Sequence, residues 1–95
     1  MKIIRESMAG SLESSDIIVR VSPGKGSLEV TMSSIVSAQF GNAILCEVEQ
    51  TLKKLGVTDA VVSVEDKGAL DCVIRARVQA AVARAADVMP EWSVL

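Results

Sequence analysis

Four serines near the start of the sequence are its best candidates for carrying a covalently attached group. Ser7, Ser11, Ser14 and Ser15 lie in a segment in which small and polar residues dominate. A hydroxyl that another enzyme modifies must be exposed and must enter that enzyme's cleft, and a polar surface loop allows both. Serines in such segments also cap helices and stabilise turns, and on composition alone each of the four is interpreted as a turn or capping serine.

The chain lacks the residues and motifs that most other kinds of catalytic chemistry require. It contains no histidine, so the commonest general base and the usual activator of a serine or cysteine nucleophile are missing. No phosphate-binding or dinucleotide-binding glycine motif occurs, and Gly24 and Gly26 are interpreted as turn residues. Glu65 and Asp66 are interpreted as polar turn residues at the end of a strand. A self-sufficient enzyme is disfavoured, and any reactive group would have to be supplied from outside.

The two cysteines do not suggest a metal site. Cys46 and Cys72 have no second pair and no histidine to complete the roughly four ligands that zinc needs. Both are flanked by apolar residues, so we expect two reduced, buried thiols that behave as small hydrophobic side chains.

Composition sets the class of protein. The chain has 95 residues, 49% of them hydrophobic, and a net charge of −2, which predicts one compact domain over residues 1–95. The charge is too close to neutral, and the 2% of aromatic residues too few, for a nucleic-acid-binding surface. No apolar stretch of about 20 residues is present, and charged residues near the start leave no room for a signal peptide. These features predict a soluble intracellular protein that binds neither nucleic acid nor membrane.

The first half of the chain predicts strands. Residues 1–15 show no clean period and are expected to be irregular, with a possible short strand at residues 2–5. Residues 16–22 and 27–32 alternate apolar and polar side chains around a turn at residues 23–26, which predicts a β-hairpin with one buried face.

The second half predicts helix, strand and helix. A helix capped by Ser33 or Ser34 runs to Leu55, with Phe40 in its apolar stripe and Gly56 as its stop. A strand at residues 57–65 and a second helix at residues 69–86 follow. The apolar stripe of that helix contains Leu70, Val73, Ile74, Ala81, Val82 and Ala85. The order predicts an α+β fold, a small two-layer sandwich of the form strand-strand-helix-strand-helix, with both helices on one face of a small sheet.

Three separate blocks of the sequence resemble one known family. Residues 8–16, which include Leu12-Glu13-Ser14, residues 39–44 and residues 66–77 are similar to blocks of the citrate lyase acyl carrier protein, the gamma subunit of that enzyme. The blocks occur in matching order and the resemblance extends over nearly the whole chain, so together the blocks are far more specific than any one of them.

The resemblance implies a function for the N-terminal segment. Ser14 matches the family's modified serine, which carries 2′-(5″-triphosphoribosyl)-3′-dephospho-coenzyme A through a phosphodiester. The thiol of that group holds the acyl chain as a thioester. The expected partners are a prosthetic-group transferase, an alpha subunit that exchanges acetyl for citrate, and a beta subunit that releases oxaloacetate. The chain itself would be a non-catalytic, cytoplasmic carrier.

The phosphates of such a group would be stabilised by nearby cations. Four arginines are candidates, although solvated charges on the helix faces are the preferred interpretation, and Arg75 also has Asp71 one turn away on its own helix. The candidates are Arg20, Arg75, Arg77 and Arg84.

Two alternatives remain beside the citrate lyase carrier. One is the related carrier of malonate decarboxylase, which resembles it in using the same prosthetic group. The other, from a different functional class, is an unmodified scaffold or interaction domain. Ordinary acyl carriers are disfavoured because they place their serine in an Asp-Ser-Leu motif within an acidic helical bundle, and no such motif occurs here.

Overall fold

A four-stranded mixed sheet and two helices form the two layers of the structure. The computed structural model describes residues 2–34 and 38–86, without the side chains of residues 38–41. The strands are β1 (Ser7–Gly10), β2 (Ile17–Pro23), β3 (Leu28–Ser34) and β4 (Ala60–Asp66), and the helices are α1 (Ala38–Lys54) and α2 (Asp71–Ala86). The predicted α+β fold is confirmed.

The two strands predicted to form a hairpin are not neighbours in the sheet. The sheet has the order β1-β2-β4-β3, with β4 antiparallel to β2 and parallel to β3. The predicted pairing of residues 16–22 with residues 27–32 is therefore wrong, although both strands exist. The helix-facing side chains of β4, Ala60, Val62 and Val64, are fully buried. Placing this apolar strand in the centre removes more hydrophobic surface from water than pairing β2 with the half-exposed β3.

The connection between β2 and β3 crosses the start of β4. The amide of Gly26 donates to Asp59 Oδ1 at 2.9 Å, and the amide of Ala60 donates to the Ser27 carbonyl at 3.2 Å. A Cβ atom on Gly24 would lie 2.6 Å from the Ala60 nitrogen, so only glycine lets the chain approach this closely. The turn predicted at residues 23–26 is real, but it spans a strand instead of closing a hairpin.

The first strand lies further along the chain than the strand that the sequence suggested. Residues 7–10 of the segment expected to be irregular form β1, which pairs antiparallel with β2 from Ser7 opposite Val21 to Gly10 opposite Ile18. The suggested strand at residues 2–5 is wrong. The four residues of β1 are too few to show a period, because Ala9 is the only member buried in the core and the apolar Met8 is 47% exposed. Backbone pairing with β2 holds the strand in place.

The end of α1 agrees with the prediction from the sequence. Gly56 has a φ of 74°, its amide donates to the Lys53 carbonyl at 3.0 Å, and the Val57 amide donates to the Leu52 carbonyl at 3.0 Å. This is a Schellman motif with glycine in the left-handed position. Ser33 and Ser34, the proposed caps, are the last two residues of β3, and residues 35–37 between them and α1 lie outside the described residues. The side chain of Phe40 lies outside the described residues.

The core lies between the sheet and the helices, and α2 supplies a large part of it. Ile74, Ala81, Val82 and Ala85 are buried and Val73 is half-buried, as the apolar stripe predicts. Leu70 is not part of the core: it precedes the helix and is 70% exposed.

Both cysteines are free, but they are exposed and not buried as expected. Ile44 and Val48, four residues apart on α1, face the core, so Cys46 between them lies on the opposite side of the helix. Cys72 has the same relation to the buried Ile74 on α2.

Neither helix within residues 2–34 and 38–86 combines the length and the apolar character that a bilayer span requires. The same described residues contain no group of three or more acidic, cysteine or histidine side chains that could hold a metal ion.

Candidate functional site

Ser14 lies at the tip of a tight turn between β1 and β2. The Asp16 amide donates to the Glu13 carbonyl at 3.1 Å, which makes Ser14 and Ser15 the two central residues of the turn. Ser15 has a φ of 66°, the positive value that a type II turn requires at its third position. Both serines are exposed, and within the described part of the chain the Ser14 hydroxyl has no hydrogen-bond partner.

The other two serines of the segment are engaged in the fold. The Ser7 hydroxyl donates to the carbonyl of Ala81 on α2. The Ser11 hydroxyl donates to Asp16 Oδ2 at 2.6 Å and accepts a hydrogen bond from the Glu13 amide at 3.3 Å. Because their hydroxyls are used in these contacts, we assign Ser7 and Ser11 a structural role. Ser14 and Ser15 remain as the candidates for modification.

Asp16 anchors the turn to α2. Arg77 Nε donates to Asp16 Oδ1 and Arg77 Nη2 to Oδ2, each at 3.1 Å, in a bidentate pair. The Ile17 amide adds a hydrogen bond to Oδ1 at 2.8 Å. The hydrogen bond from Ser11, followed by that from Arg77, lowers the pKa of Asp16 from its ordinary 3.8 to about 2. The carboxyl group is therefore ionised near neutral pH.

The turn is also joined by its backbone to the loop between β4 and α2. The Ser15 amide donates to the Lys67 carbonyl at 2.8 Å, and the Lys67 amide donates to the Asp16 carbonyl at 2.9 Å. These bonds continue the pairing of β2 with β4 by one step beyond Ile17 and Asp66. The turn thus rests on two segments that are distant in sequence.

A buried carboxylate holds that second loop. Asp66 is only 1% exposed, and its oxygens accept hydrogen bonds from the Ser34 hydroxyl (2.9 Å), the Gly68 amide (3.1 Å) and the Ala69 amide (3.0 Å). Its interpretation as a turn residue is wrong, because Asp66 is the last residue of β4 and is buried, although its side chain accepts hydrogen bonds from the turn that follows. Because all three donors need this acceptor, Asp66 fixes the loop against which the Ser14 turn packs.

Each of the four arginines proposed as phosphate contacts already has a protein partner. Arg77 binds Asp16, Arg75 Nη1 contacts Glu47 Oε1 at 2.8 Å, Arg84 Nη1 donates to the Met8 carbonyl at 2.8 Å, and Arg20 Nη1 lies 3.8 Å from Glu65 Oε1. The partner of Arg75 is on α1, not Asp71 on its own helix. Only Arg77 contacts the Ser14 turn among these four.

The sequence interpretation did not assign a role to Asp16. The available signal was that Asp16 and Arg77 lie at the ends of two of the blocks that carry the family resemblance. In the structure these blocks, residues 8–16 and 66–77, meet beside Ser14.

Comparisons with known proteins identify the family. The profile of an acyl carrier family, described as malonate decarboxylase delta subunit (MdcD), matches residues 4–85. The citrate lyase acyl carrier protein of Pectobacterium atrosepticum is 55% identical over 96 residues, the whole of both chains. That of Vibrio cholerae is 57% identical over 97 residues, covering 100% of this chain and 99% of the relative. That of Rhodopseudomonas palustris is 52% identical over 96 residues, with the same coverage.

A solved structure shares the fold. It is a chain in the crystal structure of a Pseudomonas malonate decarboxylase hetero-tetramer in complex with malonate, with a TM-score of 0.67 and 19% identity over 90% of this chain and 92% of that one. At this identity the likeness establishes the architecture alone. The family follows from the matched profile and from full-length relatives at 52 to 57% identity. On these grounds the chain belongs to the family of citrate lyase acyl carrier proteins.

Proposed function

We propose that this chain is the acyl carrier subunit of a citrate lyase and that the acyl group is carried on a prosthetic group joined to Ser14 Oγ. The observation that carries the proposal is the hydroxyl of Ser14, which is exposed at the tip of an anchored turn and has no hydrogen-bond partner among the described residues. Ser15, its neighbour, uses its amide to hold the turn and has the strained φ, so Ser14 is the better placed nucleophile.

The residues present suit the group that this family implies, which is donated as 2′-(5″-triphosphoribosyl)-3′-dephospho-coenzyme A and would remain on the serine in its 5″-phosphoribosyl form once pyrophosphate has left. A phosphodiester needs a hydroxyl that a transferase can surround, and the turn offers one with exposed residues on both sides, Glu13 and Ser15. When bound, the group would supply a thiol that holds an acyl chain as a thioester. The described residues supply the anchor, and the chain itself would take no catalytic part.

An anchored attachment point has a kinetic advantage. A group tied to one fixed position meets each active site of a complex at an effective concentration of about millimolar, which replaces diffusion between subunits by an intramolecular step. The turn can act as such a point because Asp16 joins it to α2, and the backbone of Lys67 joins it to the loop that precedes α2.

The proposed partners are a prosthetic-group transferase and the alpha and beta subunits of citrate lyase, in the cytoplasm. Two large apolar side chains are exposed on the segments that adjoin Ser14. Leu12 precedes the turn and is 52% exposed, and Leu70 lies in the loop between β4 and α2 and is 70% exposed. Exposed apolar residues mark a protein-binding surface where they form a contiguous patch. Their positions on the two segments that meet beside Ser14 make these two leucines candidates for such a docking surface at this end of the molecule.

The test is the intact mass of the chain after expression together with the modifying enzymes. We expect the wild-type mass to rise by one prosthetic group and the Ser14→Ala mass to stay unshifted, with loss of citrate cleavage in the reconstituted complex. The substitution should change the free energy of unfolding by no more than about 0.5 kcal/mol, as is usual for an exposed residue.

Ser15→Ala is the matched control, because it removes the adjacent exposed hydroxyl and keeps its amide. It should still be modified. Modification or full citrate cleavage by Ser14→Ala would contradict the assignment, and an unshifted wild-type mass would favour the scaffold alternative.

The malonate decarboxylase carrier is the second candidate, favoured by the description of the matching profile and by the fold neighbour. The full-length relatives at 52 to 57% identity favour citrate lyase instead. Reconstitution of the modified chain with the catalytic subunits of each enzyme distinguishes the two, since we expect turnover of citrate and none of malonate.

A further inference from the structure

The exposed turn depends on a residue that is far away in the sequence. Asp16 and Arg77 are 61 positions apart, yet they form the bidentate pair described above. The Asp16 side chain is 15% exposed and that of Arg77 is 41% exposed, so the pair lies at the edge of the fold and not in its core. Pairs of this kind contribute little to global stability, which leaves a local role to be explained.

The conformation of the turn needs such an anchor. Residues 12–15 are all exposed, so no buried side chain holds them. Ser15 has a positive φ, which an L residue adopts at a cost unless its surroundings impose it. The surroundings are the Asp16 carboxylate, which joins Ser11 to Arg77, and the two backbone bonds with Lys67.

We propose that Arg77 is a positioning residue for the modification of Ser14. The inference rests on the proposed function. By holding Asp16, Arg77 keeps the turn in the conformation that the transferase binds, so the transferase recognises the folded chain and not a linear segment. In the transfer the Ser14 oxygen forms the new P–O bond, its proton passes to solvent, and pyrophosphate leaves the triphosphate of the donor.

This role predicts a specific kinetic signature. If the turn samples other conformations when Arg77 is lost, only a fraction of the protein is competent, and the apparent affinity falls by that fraction. We expect Arg77→Gln to raise the KM of the transferase for the full-length chain by about tenfold, as for a competent fraction of about 10%, with kcat within about twofold of wild type. Arg77→Lys, which keeps the charge but not the bidentate geometry, should give an intermediate KM.

Two controls separate positioning from general loss of stability. Arg75→Gln removes an arginine on the same helix whose exposure is nearly equal, 40%, and whose 2.8 Å pair is with Glu47, away from the turn. Val48→Ala removes buried volume from α1 and lowers stability without touching the turn. Both variants should keep the wild-type KM. A KM raised equally in Val48→Ala and Arg77→Gln would overturn the inference.

A double-mutant cycle separates this role from direct contact between Arg77 and the donor's phosphates. If Arg77 acts through Asp16, then Asp16→Asn, Arg77→Gln and the double variant should raise KM by similar factors. Additive effects, an unchanged KM in Arg77→Gln, or a fall in kcat at unchanged KM would each overturn it. Absence of modification in the wild-type chain would instead refute the proposed function, so the two failures are distinguishable.

Discussion

Asp16 shows how a single side chain can join segments that the sequence keeps apart. Its two oxygens accept hydrogen bonds from the Ser11 hydroxyl, from the amide of the next residue and from an arginine on α2. The resemblance to a known family identifies Ser14, but nothing in residues 8–16 alone indicates that Arg77 completes their anchor. Spacing along the chain carries no information on a pair that only folding brings together.

The depressed pKa of Asp16 predicts a pH dependence of stability. Because the folded pKa is about 2 and the ordinary value is 3.8, the ionised carboxylate stabilises the fold above about pH 4 and loses this effect as the pH falls towards 2. Asp16→Asn should therefore reduce the free energy of unfolding by about 1 kcal/mol at pH 7, a low value because Arg77 is 41% exposed.

The measurement is urea unfolding of both proteins from pH 7 to pH 2. The difference between wild type and Asp16→Asn should stay constant down to about pH 4 and then shrink. A difference that is the same at pH 2 and pH 5 would show that the loss at pH 7 comes from something other than the charge. Circular dichroism at pH 7 checks that both proteins are folded.

Among the elements, β1 is the one that the pattern of side chains did not reveal. Its large apolar residue, Met8, is 47% exposed, so the strand contributes little hydrophobic surface to the core and is defined by its register with β2. Its last residue, Gly10, has a φ of 100°, and a Cβ there would lie 1.7 Å from the Ile17 carbonyl oxygen. The close approach of two backbones at this point sets the start of the segment that bears Ser14.

Gly10→Ala should therefore be strongly destabilising. It combines the strain of a positive φ with a backbone clash, and Gly68→Ala is the matched control because Gly68 has a φ of 91° and nothing within 4 Å of the added Cβ. We expect Gly68→Ala to cost about 1–2 kcal/mol and Gly10→Ala at least about 2 kcal/mol more. Thermal unfolding measures both, and equal costs would show that β1 and β2 are not held at this distance.

The molecule as a whole buries one face of its sheet beneath two helices. β2 and β4 contribute the apolar side chains of that face, and α1 and α2 complete the core from above. No hydrophobic side chain of this core performs chemistry, so the interior serves to place the Ser14 turn and its adjoining loop at one end of the sheet.

The limits of this core can be tested with two residues that the sequence assigns to one apolar stripe. Ile74 is 0% exposed and Leu70 is 70% exposed. Ile74→Ala should lower the free energy of unfolding by about 2–5 kcal/mol, whereas Leu70→Ala should change it by no more than about 0.5 kcal/mol. Chemical denaturation of the two variants checks this. A large loss in Leu70→Ala would mean that the loop packs its leucine inside the fold.

Most elements were predictable because their signals are local. The strands around residues 16–22 and 27–32 and the stop of α1 at Gly56 follow from side-chain alternation and backbone preference, which act over a few residues. The predicted β-hairpin was wrong because strand order depends on which strand gains most from burial on both sides. Both cysteines were predicted as buried, and both are exposed, because apolar neighbours in the sequence face away from them on a helix.

The sequence by itself determined the α+β class, the absence of histidine-based chemistry, the family, and Ser14 as the residue to examine. Only the tertiary structure decided that β4 lies between β2 and β3, that Ser7 and Ser11 are engaged in the fold, and that Arg77 anchors the turn through Asp16. The physical reason is the distance along the chain over which each kind of interaction acts. Propensity, alternation and turn chemistry act between neighbours, whereas strand order and ion pairs across 61 positions are set when the whole chain buries its apolar surface together.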